Sequence, residues 1–257
     1  MARFIANGKL LEADLFVFDK DGLMFDSSQF WNELTNSRCR YLLPVCGLEL
    51  TLEWAHMMGA DTVADEADGF ATTYVDPLGI LAVASPFEER SVLGGYLVKK
   101  LGMPWHEARA KAIEVFEAGD QNLDLHRAIK AQPGYVALMQ GLISKDIPYG
   151  VATSDTLKRT QDSMAIYSCW DKVRFVVTPD DVAEGKPSPD MLYLIAKNTG
   201  VSLERMAMVG DSYVDVKMAH AAGAIGIGVS ADPEMCEKMN PYATVILSSL
   251  EEITLLE

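Results

Sequence analysis

From residue 134 onward, short apolar runs alternate with helix-like segments, and this alternation constrains the fold more than any other feature of the chain. The runs are Tyr149–Thr153 (YGVAT), Val173–Val177 (VRFVV), Met206–Gly210 (MAMVG), Ala224–Val229 (AIGIGV) and a weaker one, Ala243–Leu247 (ATVIL). The helix-like segments are Tyr135–Lys145, Thr156–Met164, Pro189–Thr199, Tyr213–Ala222 and Leu250–Leu256. Runs that are apolar throughout suit strands buried on both faces. Strands alternating with helices predict a doubly wound, parallel-sheet α/β layer. One more such run, Leu15–Phe18 (LFVF), stands far upstream, and the stretch between is mostly helical in pattern. It has few β-like runs, chiefly Ile80–Ser85 (ILAVAS), which is too weak to assign. The expected organisation is a discontinuous α/β core, residues 1–27 and 132–257, with a mainly helical insertion at 28–131.

In an open α/β sheet, ligands bind beyond the carboxyl ends of the strands. Here those ends are polar. The first strand stops on Asp19-Lys20-Asp21-Gly22, the second on Thr153-Ser154-Asp155, and the fourth runs into Gly210-Asp211 with Asp215 beyond. The third leads into TPDDVAEGKPSPD, which holds Lys186. Two carboxylates 4 Å apart repel by about 4 kcal/mol at an effective dielectric near 20. A cluster of Asp19, Asp21, Asp211 and Asp215 therefore calls for a divalent cation, and all-oxygen ligands favour Mg²⁺. Two other readings fail. A calcium loop opening at Asp19 needs a glutamate where Phe30 stands, and a strand precedes it. A phosphate-binding P-loop ending at Gly185-Lys186 needs a glycine at Asp180 and a hydroxyl at Pro187.

The ordered set DKDGLMFDS, VATSD, EGKPSPD and VGDSYVDVKMAHAAGA resembles the haloacid dehalogenase superfamily, in its large branch of phosphatases. The resemblance implies a Rossmann-like core with a helical cap after the first motif. It implies that Asp19 is a nucleophile that takes a phosphoryl group, and that Asp21 is the general acid and base. Thr153 and the backbone N–H of Ser154 would hold phosphoryl oxygens, and Lys186 would offset the charge of Asp19 and the phosphoryl group. Asp211 would bind Mg²⁺ with Asp19 and the backbone carbonyl of Asp21, while Asp215 would hold a metal-bound water. Gly22 permits the tight turn out of the strand. Asp26 and Asp155 read as caps or turn residues.

Within the superfamily, Asp21 argues against dehalogenation, because dehalogenases lack the second aspartate. No lysine occurs between Lys20 and Lys99, which argues against a Schiff base formed by a cap lysine. Sugar-phosphate mutases of this branch carry a histidine where Trp31 stands. What the resemblance leaves is hydrolysis of a small phosphomonoester, in the manner of phosphoglycolate phosphatase-like enzymes. A phosphotransferase or mutase is the alternative, and a non-catalytic binding protein on the same fold is the third reading. Lys20 departs from the pattern, since an apolar residue is commoner between the two aspartates. It is expected either to shift the charge of the site or to face solvent.

The formal net charge of −15 argues against a nucleic-acid surface or an anionic membrane as partner. The expected partner is a small phosphorylated metabolite. Cys39, Cys46, Cys169 and Cys236 match neither zinc nor disulfide spacing and read as reduced thiols. The N-terminus lacks the pattern of a signal peptide, and no run is long enough to span a bilayer, so the chain is expected in the cytoplasm. The four histidines show no ligand spacing, and the tryptophans read as packing. Arg38, Arg40 and Arg90 read as solvated charges, with a clamp on a substrate anion as the other reading.

Overall fold

The computed structural model describes residues 2–76, 79–84 and 86–256. The chain forms two compact units, Met1–Asp26 with Ala131–Glu257, and Ser27–Lys130.

The first unit opens with β1 (Ala2–Ala6), β2 (Lys9–Ala13) and β3 (Leu15–Phe18). The inserted unit holds α1 (Ser27–Met57), β4 (Ala60–Asp65), β5 (Gly69–Val75), α2 (Ile80–Val83), α3 (Pro86–Leu101), α4 (Trp105–Gln121) and α5 (Leu125–Ala128). The first unit then resumes with α6 (Tyr135–Ser144), β6 (Tyr149–Ala152), α7 (Leu157–Ile166), β7 (Val176–Val177), α8 (Asp190–Thr199) and β8 (Met206–Gly210). It ends with α9 (Tyr213–Ala222), β9 (Ile225–Val229), α10 (Pro233–Met239), β10 (Val245–Leu247) and β11 (Ile253–Leu255).

The main sheet of the first unit has six strands in the order β10-β9-β8-β3-β6-β7. All of its pairings are parallel. From β3 the chain order runs outward both ways, to β6 and β7 on one side and to β8, β9 and β10 on the other. β3 is thus the switch strand of a doubly wound sheet, the place where such folds bind ligands. It is buried along its whole length, and alternate residues serve opposite faces. Leu15 and Val17 join a cluster with Met191, Leu192, Ile195, Met206, Met208 and Met218. Phe16 packs on Phe4 and Phe18, with centroids at 5.0 and 5.9 Å, and Phe18 meets the edge of Tyr149. Among the described residues, no helix is long and apolar enough to cross a membrane.

Several sequence-based expectations are corrected. Leu250–Leu256 is not a helix: a single 3-10 turn leads into β11, which pairs antiparallel with β1. Together with β2 these strands make a second, three-stranded sheet. The Ile80–Val83 part of ILAVAS is helical, and Ser85 lies outside the described residues. The inserted unit is mainly helical but also carries the β4–β5 hairpin, whose turn is closed by Asp65 accepting from the backbone of Ala67 and Asp68. Trp105 is about half exposed, with its ring against Gly94 of α3.

Arg38 is neither a solvated charge nor an open clamp. It is fully buried, 3.1 Å from Glu89 and 2.8 Å from Asp120, with its guanidinium 4.2 Å from the centre of the Phe116 ring. It ties α1 to α3 and α4 within the inserted unit. Arg40 is half-buried and donates to the Asp68 carbonyl. All four cysteines are free thiols, and burial pushes Cys39 up to about 12.

Candidate active site

Register alone sets the first residues of the site. Phe18 lies opposite Val209 of β8 and Val151 of β6, so Asp19, Gly210 and Ala152 follow side by side. The Asp19 amide still donates to the Val209 carbonyl at 2.9 Å, which holds the aspartate at the strand end. Asp211 follows β8 directly. Asp215 sits in the first turn of α9, where its Oδ2 accepts from the Ser212 amide at 3.2 Å and closes a capping box.

Lys186 comes from the loop after β7. That loop is fixed by its own polar contacts: Ser188 Oγ to Asp190 Oδ1 at 2.9 Å, the Glu184 amide to Asp190 Oδ2 at 3.2 Å, and the Ser188 amide to the Gly185 carbonyl at 2.9 Å. The Lys186 side chain is buried, with Nζ 2.7 Å from Asp19 Oδ1 and 2.6 Å from Asp215 Oδ1. Desolvation opposes its charge, but the two carboxylates outweigh it and raise its pKa.

Asp19, Asp211 and Asp215 each offer a carboxylate oxygen within 4.8 Å of the others. One ammonium against three carboxylates leaves an excess of negative charge in a largely buried place. Burial raises Asp211 well above the ordinary carboxylate range, and the charges of Asp19 and Asp215 add to it. Burial lifts Asp215 to about 6, against the pull of Lys186. Such an all-oxygen donor set fits a hard divalent cation. The glycines agree. Gly22 has φ +84°, and a Cβ there would lie 2.0 Å from Asp211 Oδ2. A Cβ on Gly210 would lie 2.3 Å from the Asp215 carboxyl carbon. A cavity of about 330 Å³ adjoins Asp211, lined in part by Gly22, Gln132, Ser230 and Ser248.

The Asp21 carboxylate is not one of those three groups. It meets the Lys20 ammonium instead. Burial raises its pKa and Lys20 opposes the rise; 39% of the side chain stays open to water, which tempers the effect. Thr153 is buried, its amide donating to the Val177 carbonyl at 3.1 Å and its Oγ1 accepting from the Asp155 amide at 3.0 Å. Ser154 beside it is exposed.

Two residues carry more than the sequence reading gave them. Lys20 does not face solvent: its side chain is 1% exposed and lies 3.0 Å from Asp155 Oδ2 as well as against Asp21. Asp155 is a turn residue, accepting from the Thr156 amide at 2.7 Å, and also the far partner of Lys20. The only signal in the sequence is a lysine between two aspartates at the end of a buried strand.

A family model for haloacid dehalogenase-like hydrolases matches residues 13–223. The phosphoglycolate phosphatase of Shigella boydii serotype 4 is 28% identical over 223 residues, covering 83% of this chain and 79% of that protein. Among solved structures, the predicted phosphoglycolate phosphatase of Haemophilus somnus superposes with a TM-score of 0.63 at 16% identity, over 94% of this chain and 96% of that one. A haloacid dehalogenase family hydrolase from Deinococcus radiodurans, solved with bound phosphate and sodium, gives 0.55 at 19% identity over 94% and 93%. The two structures share the fold, and the family match covers part of each stretch of the first unit and all of the insertion between them. With its four motifs, its switch strand ending on Asp19 and this match, the chain belongs to the haloacid dehalogenase-like hydrolases.

Proposed function

We propose that the protein is a Mg²⁺-dependent phosphatase that hydrolyses a small phosphomonoester through an aspartyl-phosphate on Asp19. One observation carries the reading: Asp19 lies 2.7 Å from a buried ammonium, with carboxylate oxygens of Asp211 and Asp215 within 4.8 Å. A carboxylate held this way is a nucleophile whose charge is balanced without being quenched.

In the first half-reaction an Asp19 oxygen attacks phosphorus, and the bond to the leaving oxygen breaks. Asp21 gives that oxygen a proton. In the second, water attacks phosphorus, Asp21 takes the proton, and the Asp19–phosphorus bond breaks, releasing inorganic phosphate. Thr153 and the Ser154 N–H are read as the donors for phosphoryl oxygens. Lys186 lets two anions approach, and Asp215 holds Lys186. Asp19, Asp211 and the Asp21 carbonyl would hold Mg²⁺, which when bound supplies charge neutralisation at the phosphoryl oxygens. The first unit is read as the catalytic core and the inserted unit as the cap that sets substrate choice. The relatives make 2-phosphoglycolate the first substrate to test.

The experiment is turnover of 4-nitrophenyl phosphate and of a phosphometabolite panel that includes 2-phosphoglycolate, with Mg²⁺ and with EDTA. Activity is expected only with the metal, and Asp19→Asn is expected to lose about a thousandfold or more. Undiminished turnover in EDTA, or in Asp19→Asn, overturns the reading.

A further inference from the structure

Lys20 is a fully buried cation between two acids from distant parts of the chain. On one side it meets Asp21 Oδ1; on the other it lies 3.0 Å from Asp155 Oδ2. Asp155 is itself fixed. Its Oδ1 accepts from the Thr156 amide at 2.7 Å and lies 3.6 Å from Arg159 Nη1, and its own amide donates to Thr153 Oγ1 at 3.0 Å. The Lys20 backbone is held as well. Its carbonyl accepts from the amides of Met24 and Phe25 at 2.9 and 3.3 Å, closing the turn that carries Asp21 and Gly22. The ammonium therefore joins the turn after β3 to the turn after β6. An apolar side chain at this position would leave two carboxylates facing each other with no cation between them.

We propose that Lys20 is a positioning residue for proton transfer, holding Asp21 through Oδ1 so that the proton travels on Oδ2. A carboxyl oxygen accepts from an ammonium whether or not its twin is protonated. Lys20 thus selects the oxygen that serves the leaving group without itself gaining or losing a proton. Through Asp155 it also sets that oxygen in register with Thr153. The inference rests on the reading of Asp19 as nucleophile and Asp21 as acid.

The test is kcat/KM across a phenyl phosphate series, from 4-nitrophenyl phosphate to unsubstituted phenyl phosphate, since this constant reports the step in which the leaving group departs. A 4-nitrophenolate leaves without help, whereas phenolate gains more from a proton. General acid catalysis is worth about 10²- to 10⁴-fold, so Lys20→Met is expected to lose about tenfold more on phenyl phosphate than on 4-nitrophenyl phosphate. Lys20→Arg, which keeps a cationic donor, is expected to recover part of that difference. An equal loss on every ester, as from a merely structural role, or no loss, overturns the inference. If Lys20→Met shows no cooperative thermal unfolding, Asp155→Asn takes its place; it should steepen the same dependence, and a flat result overturns the inference. Asp21→Asn separates the two levels. If it leaves the leaving-group dependence as in the wild type, the acid assignment falls and this inference with it. If it steepens the dependence while Lys20→Met does not, only the inference about Lys20 falls.

Discussion

Asp215 has Lys186 on one carboxylate oxygen and a capping amide on the other, and burial lifts it from the ordinary 3.8 to about 6. Between those two values the folded chain keeps a proton that the unfolded chain has released. The stabilisation from this group is therefore full below about pH 4 and is lost as pH rises through about 6. In EDTA, the contribution of this group to the thermal midpoint is expected to fall between about pH 4 and about pH 6 and to level off above that, and Asp215→Asn should flatten that fall. Mg²⁺ at neutral pH should restore part of the loss, because a cation favours the charged carboxylate. Gly22 gives a second test at this scale. A methyl there would meet Asp211 Oδ2 at 2.0 Å, in a backbone with φ +84°. Gly22→Ala is expected to weaken Mg²⁺ about 10- to 100-fold in a metal titration of activity.

Among the elements, the apolar α1–α3–α4 packing of the inserted unit also encloses one cation. Arg38 is buried between Glu89 and Asp120, and Gly119 lets α4 come so near that a Cβ would lie 2.8 Å from Arg38 Cγ. Removing one partner of a buried pair costs about 3–5 kcal/mol, so Arg38→Met should lose about that much in urea unfolding. That burial was invisible in sequence, because Glu89 and Asp120 lie on other helices. The same limit hid the Lys20–Asp155 pair, whose members belong to different strand ends. What sequence does carry is local. β3 and β8 are apolar from end to end, and burial on both faces leaves no other pattern open to them. The turns after those strands hold the acids that the structure brings together. The antiparallel sheet is harder to see. In Leu250–Leu256, Leu250, Ile253 and Leu256 recur every third residue in a way that suits a helix, but pairing with β1 decides its state. β1 and β2 are short and mixed in polarity, and their signal lies in the turn, where Asn7 and Gly8 both have positive φ.

On the scale of the whole molecule, the chain leaves the first unit and returns to it at neighbouring points. Phe25 bridges to Ala131, and the Gln132 amide donates to the Met24 carbonyl at 2.9 Å. A linker of about four to six Gly and Ser residues spans such a gap. Replacing residues 27–130 with it is expected to leave a first unit that unfolds cooperatively in circular dichroism. That unit should keep slow, Mg²⁺-dependent turnover of 4-nitrophenyl phosphate and lose its preference among esters. Loss of the cooperative transition would show instead that the first unit needs the insertion to fold.

The central place of β3 also has a cost in time. A ribosome makes Leu15–Phe18 well before its flanking strands, which begin at Tyr149 and Met206. During that interval the inserted unit can complete its own core, while the strand that leads to Asp19 waits with both hydrogen-bonding edges open. An apolar segment in that condition invites pairing with the wrong chain. Shelter by a chaperone, or slow synthesis at low temperature, should therefore raise the soluble yield of this protein by protecting β3 until its partner strands are made.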